Sequence, residues 1–224
     1  MTSVSGEWSD LPVRISLLGS SNSGKTHWLV QKLIKNCPFK AIWLFAPPSS
    51  LKQKGYIELA RHLDKINIKK KEKDKIQLIP FSNLPNDILG DELLRIFSED
   101  KETPRLLIFD DSLSSIEGER GNKFIQDCFT GGRHSGCSVV MMSQLLLPSG
   151  RARTTRLNSS HVVIFRFPDL RSVQMLLSQL IGKGEYDEAL KCWREQIKKL
   201  GGHMTIDLTR EYGEKHKDIH RLDY

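Results

Sequence analysis

Six short apolar runs, rich in branched residues, punctuate the chain at 13–18, 41–45, 76–79, 105–109, 138–142 and 161–165. Each is nearly continuous rather than alternating, as expected of a strand buried on both faces. Longer helical patterns separate them. The order strand–helix–strand predicts an α/β fold, with a mostly parallel central sheet, helices on both faces and right-handed crossovers. No internal repeat and no Gly/Ser- or Pro-rich linker divides the chain, so one domain is expected over 1–224, with its core at about 11–210. Two segments depart from the pattern. Residues 61–75, RHLDKINIKKKEKDK, read as an exposed, mobile basic insertion between the second and third strands, either a solvated loop or helix end, or a contact to a phosphate backbone. A further candidate strand at 203–208 precedes a charged tail, 209–224. There, His216 and His220 stand four apart without a neighbouring set of metal ligands.

Composition narrows the setting. Of 224 residues, 38% are apolar and 27% charged, a globular balance. The longest apolar run, 41–46, falls far short of the ~20 residues a bilayer span needs. Residues 1–10 lack both the basic and the apolar region of a secretion signal, so the protein is expected not to be secreted. Cys37, Cys128, Cys137 and Cys192 share no repeated spacing and read as small core residues in a reducing compartment. His134 near Cys128 and Cys137 makes a metal site the alternative. The net charge of +7 admits a polyanionic partner without requiring one.

The strongest chemical signal is Gly19-Ser20-Ser21-Asn22-Ser23-Gly24-Lys25-Thr26, which matches G-x-x-x-x-G-K-[ST] between the strand at 13–18 and a helix predicted over 26–35. Glycines let the backbone curl until several N–H groups face one anion, and the helix N-terminus adds its partial positive charge. Lys25 is then placed to reach the β- and γ-phosphates, and the Thr26 hydroxyl to ligate Mg²⁺.

A second signal is the strand Arg105 to Phe109, which runs into Asp110 and Asp111. A buried strand of this kind delivers Asp110 to the carboxyl edge of the sheet beside the phosphate loop, where it can hold Mg²⁺ through its water shell. Asp111 is the candidate to orient or deprotonate the attacking water, and alternation along a strand forbids both acids from pointing the same way. The run 138–142 ends in Ser143-Gln144, and the Gln144 amide can both donate to the γ-phosphate and accept from a water. Arg133, in the segment GGRHSG at 131–136, is the first candidate for stabilising transition-state charge, in its own subunit or on a neighbour's nucleotide. Arg151, Arg153 and Arg156 read as loop residues at the same sheet edge, facing either a neighbour's nucleotide or DNA, with Arg156 the second candidate.

Taken in order, Gly19 to Thr26, LLIFDD at 106–111, GGRHSG at 131–136, CSVVMMSQ at 137–144 and RLNSSHVVIFRF at 156–167 resemble the genome-packaging ATPases of large and mid-sized DNA viruses. Those of poxviruses and polinton elements have this layout, within the FtsK–HerA superfamily of P-loop motors. The resemblance implies a RecA/FtsK–HerA-like ATPase that uses ATP and Mg²⁺. It implies a homo-oligomeric ring of five or six subunits driving double-stranded DNA into a preformed capsid. A capsid vertex or portal protein is the implied partner, and a virion or a host-cell assembly site, cytoplasmic or nuclear, the implied location. By the same resemblance Lys25 and Thr26 handle nucleotide and metal, Asp110 and Asp111 form the acidic pair, and Gln144 is the polar sensor. Asp111 departs from the Glu of many such motors by one carbon. A P-loop small-molecule kinase is the alternative, as is a module that binds ATP without hydrolysing it. A GTPase is disfavoured because Asn122-Lys123 runs into Phe124-Ile125 rather than a base-reading motif.

Overall fold

The computed structural model describes Trp8 and residues 11–110, 119–144, 155–181 and 185–209; the side chains of 119–122 and of Arg133 are outside that description. Seven strands form one sheet: β1 (Arg14–Leu18), β2 (Ala41–Phe45), β3 (Gln77–Phe81), β4 (Arg105–Asp110), β5 (Cys137–Ser143), β6 (His161–Phe165) and β7 (His203–Asp207). Their order is β3-β2-β4-β5-β1-β6-β7, and every pair is parallel except β6 with β7. Each of the six apolar runs overlaps one strand, and the candidate at 203–208 is the seventh.

Burial on both faces explains the near-continuous apolar strands. Leu106 and Ile108 of β4 join Val140 and Met142 of β5 on one face, while Leu107 and Phe109 join Val139 and Met141 on the other. The first face is covered by α1 (Lys25–Lys35) and, after the short α2 (Pro48–Leu51), by α3 (Lys54–Asn67). The second is covered in two halves. Beneath β4 and β5 lie α4 (Asp87–Glu99) and α5 (Glu119–Gly131), through Phe97, Phe124, Ile125 and Phe129. Beneath β6 and β7 lie α6 (Leu170–Leu180) and α7 (Tyr186–Gln196), through Leu176, Leu177, Leu190 and Trp193. Alternation within β4 therefore puts Asp110 on the α1/α3 face, in line with Leu106 and Ile108.

The basic segment 61–75 is not an insertion in the crossover from β2 to β3; it is the crossover's second half. Residues 61–67 are the last two turns of α3, whose apolar stripe Tyr56, Leu59 and Leu63 is buried at helical spacing. The lysines mask this stripe because only Leu63 of the three lies inside the segment. Beyond the helix, Asn67 closes a loop on itself: its amide donates to the Ile76 carbonyl at 2.8 Å and its carbonyl accepts from the Ile76 N–H at 2.8 Å. β3 runs on through Pro80, which an edge strand tolerates because its outer N–H positions have no ladder partner.

Candidate functional site: the phosphate loop and its acidic strand

The chain turns from β1 into α1 through two residues with positive φ, Asn22 (58°) and Gly24 (104°), the kind of backbone curl that forms an anion-binding nest. Gly24 caps α1, and no acidic residue occupies the helix's first turn, so its positive end is unopposed. Gly19 has a different reason to be glycine. A Cβ there would come within 2.7 Å of both the Phe165 Cβ and the Ser23 Oγ. Ser23 is itself buried, and its hydroxyl has no hydrogen-bond partner among the described residues, a donor left available to an anion. The loop is tied to the sheet edge by two main-chain bonds, Gly19 N–H to the Ser143 carbonyl at 3.1 Å and Ser20 N–H to the Arg166 carbonyl at 3.2 Å.

Lys25 is only 7% exposed. Its ammonium donates to the carbonyls of Gly19 at 2.8 Å and Ser20 at 2.9 Å. A buried cation among main-chain carbonyls, at the mouth of a ring of N–H groups, suits a multiply charged anion. Asp110 is 4% exposed, and its Oδ2 accepts the Tyr56 hydroxyl at 2.8 Å. That bond joins α3 to the acidic strand and fixes one carboxylate oxygen. Gln144 follows the last residue of β5, one step from the Ser143 carbonyl that anchors the loop. Lys25, Thr26, Asp110 and Gln144 line one cavity of about 440 Å³ with the rest of the loop from Ser21. Its opposite wall is the start of α3, where Gln53, Lys54, Gly55 and Glu58 face the loop. The volume suits a nucleotide, and the hydroxyl and carboxylate oxygens of Thr26 and Asp110 suit a hard cation such as Mg²⁺.

A family model for the poxvirus A32 protein matches residues 7–181. The chain belongs to the poxvirus A32 protein family. No individual curated protein matches its sequence. Among solved structures it is similar to the genome-packaging NTPase B204 of Sulfolobus turreted icosahedral virus 2 in complex with AMP, at 17% identity and a TM-score of 0.58, covering 89% of this chain and 94% of that one. The DNA-packaging ATPase B204 of Sulfolobus turreted icosahedral virus is similar at 14% identity and a TM-score of 0.57, with the same coverage. The ATPase 2 and 3 region of EssC from Geobacillus thermodenitrificans is a more distant likeness, at 11% identity and a TM-score of 0.50, covering 74% of this chain and 34% of that one. These likenesses show the P-loop fold; membership of the A32 family bears out the resemblance read from the motifs, a viral DNA-packaging ATPase that binds nucleotide.

The remaining site residues divide. Asp111, Arg151 and Arg153 lie outside the described residues, as do His216 and His220. The backbone of Arg133 lies in a short 3-10 turn, Gly132–Ser135, that leads into β5 at its amino end. Arg156 does not reach the edge of the sheet expected of it. It precedes β6, whose His161 pairs with Ile15 near the start of β1, so it sits at the amino edge of the sheet and not beside the phosphate loop. It is 1% exposed and donates to the Gln179 side chain at 2.6 Å. A guanidinium enclosed in this way has no surface to offer a neighbour's nucleotide, so Arg156 holds the fold together. Cys128 and Cys137 are buried, and burial pushes the first thiol well above its ordinary range and the second to about 12. His134 is exposed, and among the described residues no group of three metal-ligating side chains gathers there.

The sequence reading missed Tyr56 and the support behind the loop. Tyr56 shares a helical stripe with Leu59 and Leu63, and a hydroxyl carried into such a stripe needs a polar partner; that was the available signal. Gly24 packs toward the Gly201 backbone, where an added Cβ would stand 3.3 Å from the Gly201 Cα. His203 holds this contact in place. Its Nδ1 bonds the Gly201 carbonyl at 3.1 Å, and its Nε2 accepts the Trp28 indole N–H at 3.0 Å. The turn into β7 thus braces the helix that carries Lys25. No local pattern links residues 175 positions apart.

Proposed function

We propose that this A32-family ATPase works as a homo-oligomeric ring, converting ATP hydrolysis into movement of double-stranded DNA into a capsid. The observation that carries the reading is the meeting, in one cavity, of Lys25 and Thr26 from the loop, Asp110 from β4 and Gln144 from β5. A kinase needs the loop and a metal-binding acid; a polar sensor on the neighbouring strand suits a water-activating motor better. The B204 proteins are a genome-packaging NTPase and a DNA-packaging ATPase, and their likeness covers 89% of this chain and 94% of theirs.

In this reading the unit is one domain with its core at about 11–210. The N–H groups of Asn22, Gly24 and Lys25, the Ser23 hydroxyl and the α1 terminus cradle the β- and γ-phosphates, and the Lys25 ammonium turns from the Gly19 and Ser20 carbonyls toward them. Thr26 and Asp110 hold Mg²⁺, which neutralises charge on the phosphates when bound. Gln144 orients a water in line with the γ-phosphorus, and Asp111 takes its proton. The water oxygen forms its bond to phosphorus as the bond to the β-bridging oxygen breaks, leaving ADP and phosphate. Arg133 acts across a subunit interface on the charge of that transition state. A capsid vertex or portal protein is the partner of the ring, and a virion or host-cell assembly site is its place of work.

The test is the rate of ATP hydrolysis by the assembled protein with and without long duplex DNA. Stimulation by duplex DNA supports the motor. An unstimulated rate, together with phosphate transfer to a small acceptor, gives the kinase instead.

A further inference from the structure

The lysine loop after α3 is not used by the site just described. Asn67 and Ile76 close its base with two hydrogen bonds of 2.8 Å each, so the intervening residues 68–75 are held as one projecting loop. Its two acids are already engaged: Asp74 pairs with Lys40 at 3.1 Å and Glu72 with Lys75. Lys69, Lys70, Lys71 and Lys73 are exposed, and none has a carboxylate within ion-pair distance among the described residues. Some surface cations are paired, Arg95 with Glu92 and Glu99 and Lys123 with Asp91 and Asp127, whereas the loop gathers four without such a partner within five residues. Four neighbouring cations left unanswered on a braced loop repel one another, and an external polyanion relieves that repulsion.

The loop's position separates it from nucleotide chemistry. It enters β3 at the amino edge of the sheet, whereas the phosphate loop leaves β1 at the carboxyl edge. A five-residue strand, roughly 16 Å, lies between the two edges. The partner's chemistry follows from the side chains. Lysine is a flexible point charge that suits phosphates without reading bases. Residues 68–75 contain no aromatic side chain, so the loop offers no platform on which single-stranded bases could stack.

We propose that Lys69, Lys70, Lys71 and Lys73 form a sequence-independent contact to the phosphate backbone of duplex DNA at the face of the ATPase away from the nucleotide. The inference rests on the packaging reading and adds to it the surface that meets the DNA. Duplex binding by the full chain, followed by fluorescence anisotropy over a range of KCl concentrations, tests it. The variant K69A/K70A/K71A/K73A is compared with the wild type and with an equal-charge control, K191A/R194A/K198A/K199A. The loop variant is expected to weaken duplex binding at least tenfold and to make the slope of log affinity against log salt shallower by about 3 to 4 per subunit, since each lost phosphate contact removes about 0.9. An unchanged melting temperature and unchanged DNA-free hydrolysis show that the fold is intact. Wild-type affinity and slope in the loop variant would overturn the proposal, assigning the loop to another partner such as an acidic protein, and would leave the packaging reading standing. An equal loss in the control would overturn it too, as an effect of net charge alone. A wild type that neither binds duplex nor responds to it in hydrolysis removes the packaging reading itself.

Discussion

At the carboxyl edge of the sheet, Lys25 and Asp110 are buried and held by named partners, main-chain carbonyls for the one and the Tyr56 hydroxyl for the other. At the amino edge the lysines of residues 69–73 stand in solvent, and the buried charges include Arg105, paired with Asp100, and Arg156, held by Gln179. A buried ion costs several kcal/mol unless its partners offset the lost hydration, so each buried charge requires a built environment. The environment of Lys25 and Asp110 opens into a cavity, and that of Arg156 holds elements of the fold together. Burial of a cation therefore does not mark a catalytic site; what its surroundings leave open does.

Exchanging Lys25 for Ala is the largest break in this comparison. The variant is expected to lose about 10²-fold or more in kcat, because a charge aimed at the phosphates has gone, with the folded state checked by its melting transition. A rate within tenfold of wild type would remove Lys25 from the site.

Arg156→Ala should do the converse. Loss of its buried bulk and of the bond to Gln179 is expected to cost about 3 kcal/mol of stability, lowering Tm by roughly 6–12 °C for a chain of this size. The kcat of the folded fraction should hold. Calorimetry beside an ATPase assay decides it; a tenfold fall in kcat with unchanged Tm would return Arg156 to the catalytic candidates.

The acidic strand allows a sharper cut. Asp110→Asn is expected to weaken Mg²⁺-dependent ATP binding, whereas Asp111→Asn should bind the nucleotide with its metal and hydrolyse it poorly. Titration of Mg²⁺ against bound nucleotide separates the two, and identical defects in both variants would merge their roles.

Tyr56→Phe probes the same carboxylate from behind. It keeps the ring in the core and deletes one hydrogen bond to an anion, an interaction of about 1.5–3 kcal/mol. A roughly tenfold rise in the Mg²⁺ concentration needed for half-maximal hydrolysis is expected, with little change in melting. An unchanged Mg²⁺ requirement would leave Tyr56 a packing residue only.

The fold and half of the site were legible along the chain because both are written in short-range pattern. A strand buried on two faces must be apolar throughout, so the strands at 41–45 and 161–165 appear at their observed bounds. A loop that curls around phosphates needs its glycines and its lysine at fixed spacing, and Gly19 to Thr26 carries them. Alternation along β4 also sets Asp110 on the face of Leu106 and Ile108, where it meets Tyr56. The basic segment reads as an insertion because its lysines outnumber the single buried Leu63 that ties it to the core, and of its readings the helix end holds over 61–67.

What only the tertiary structure decided is which edge of the sheet each charged residue reaches and what closes around it. Arg156 and Gln144 are close in the chain and read alike as polar groups after a strand. The return of the chain into β6, parallel to β1, carries Arg156 to the opposite edge and buries it. Tyr56 meets Asp110 across 54 positions, and Trp28 meets His203 across 175. Such contacts leave no periodic trace, because strand order and crossover hand set them, and those follow from how whole layers of apolar side chains pack together rather than from any one stretch of residues.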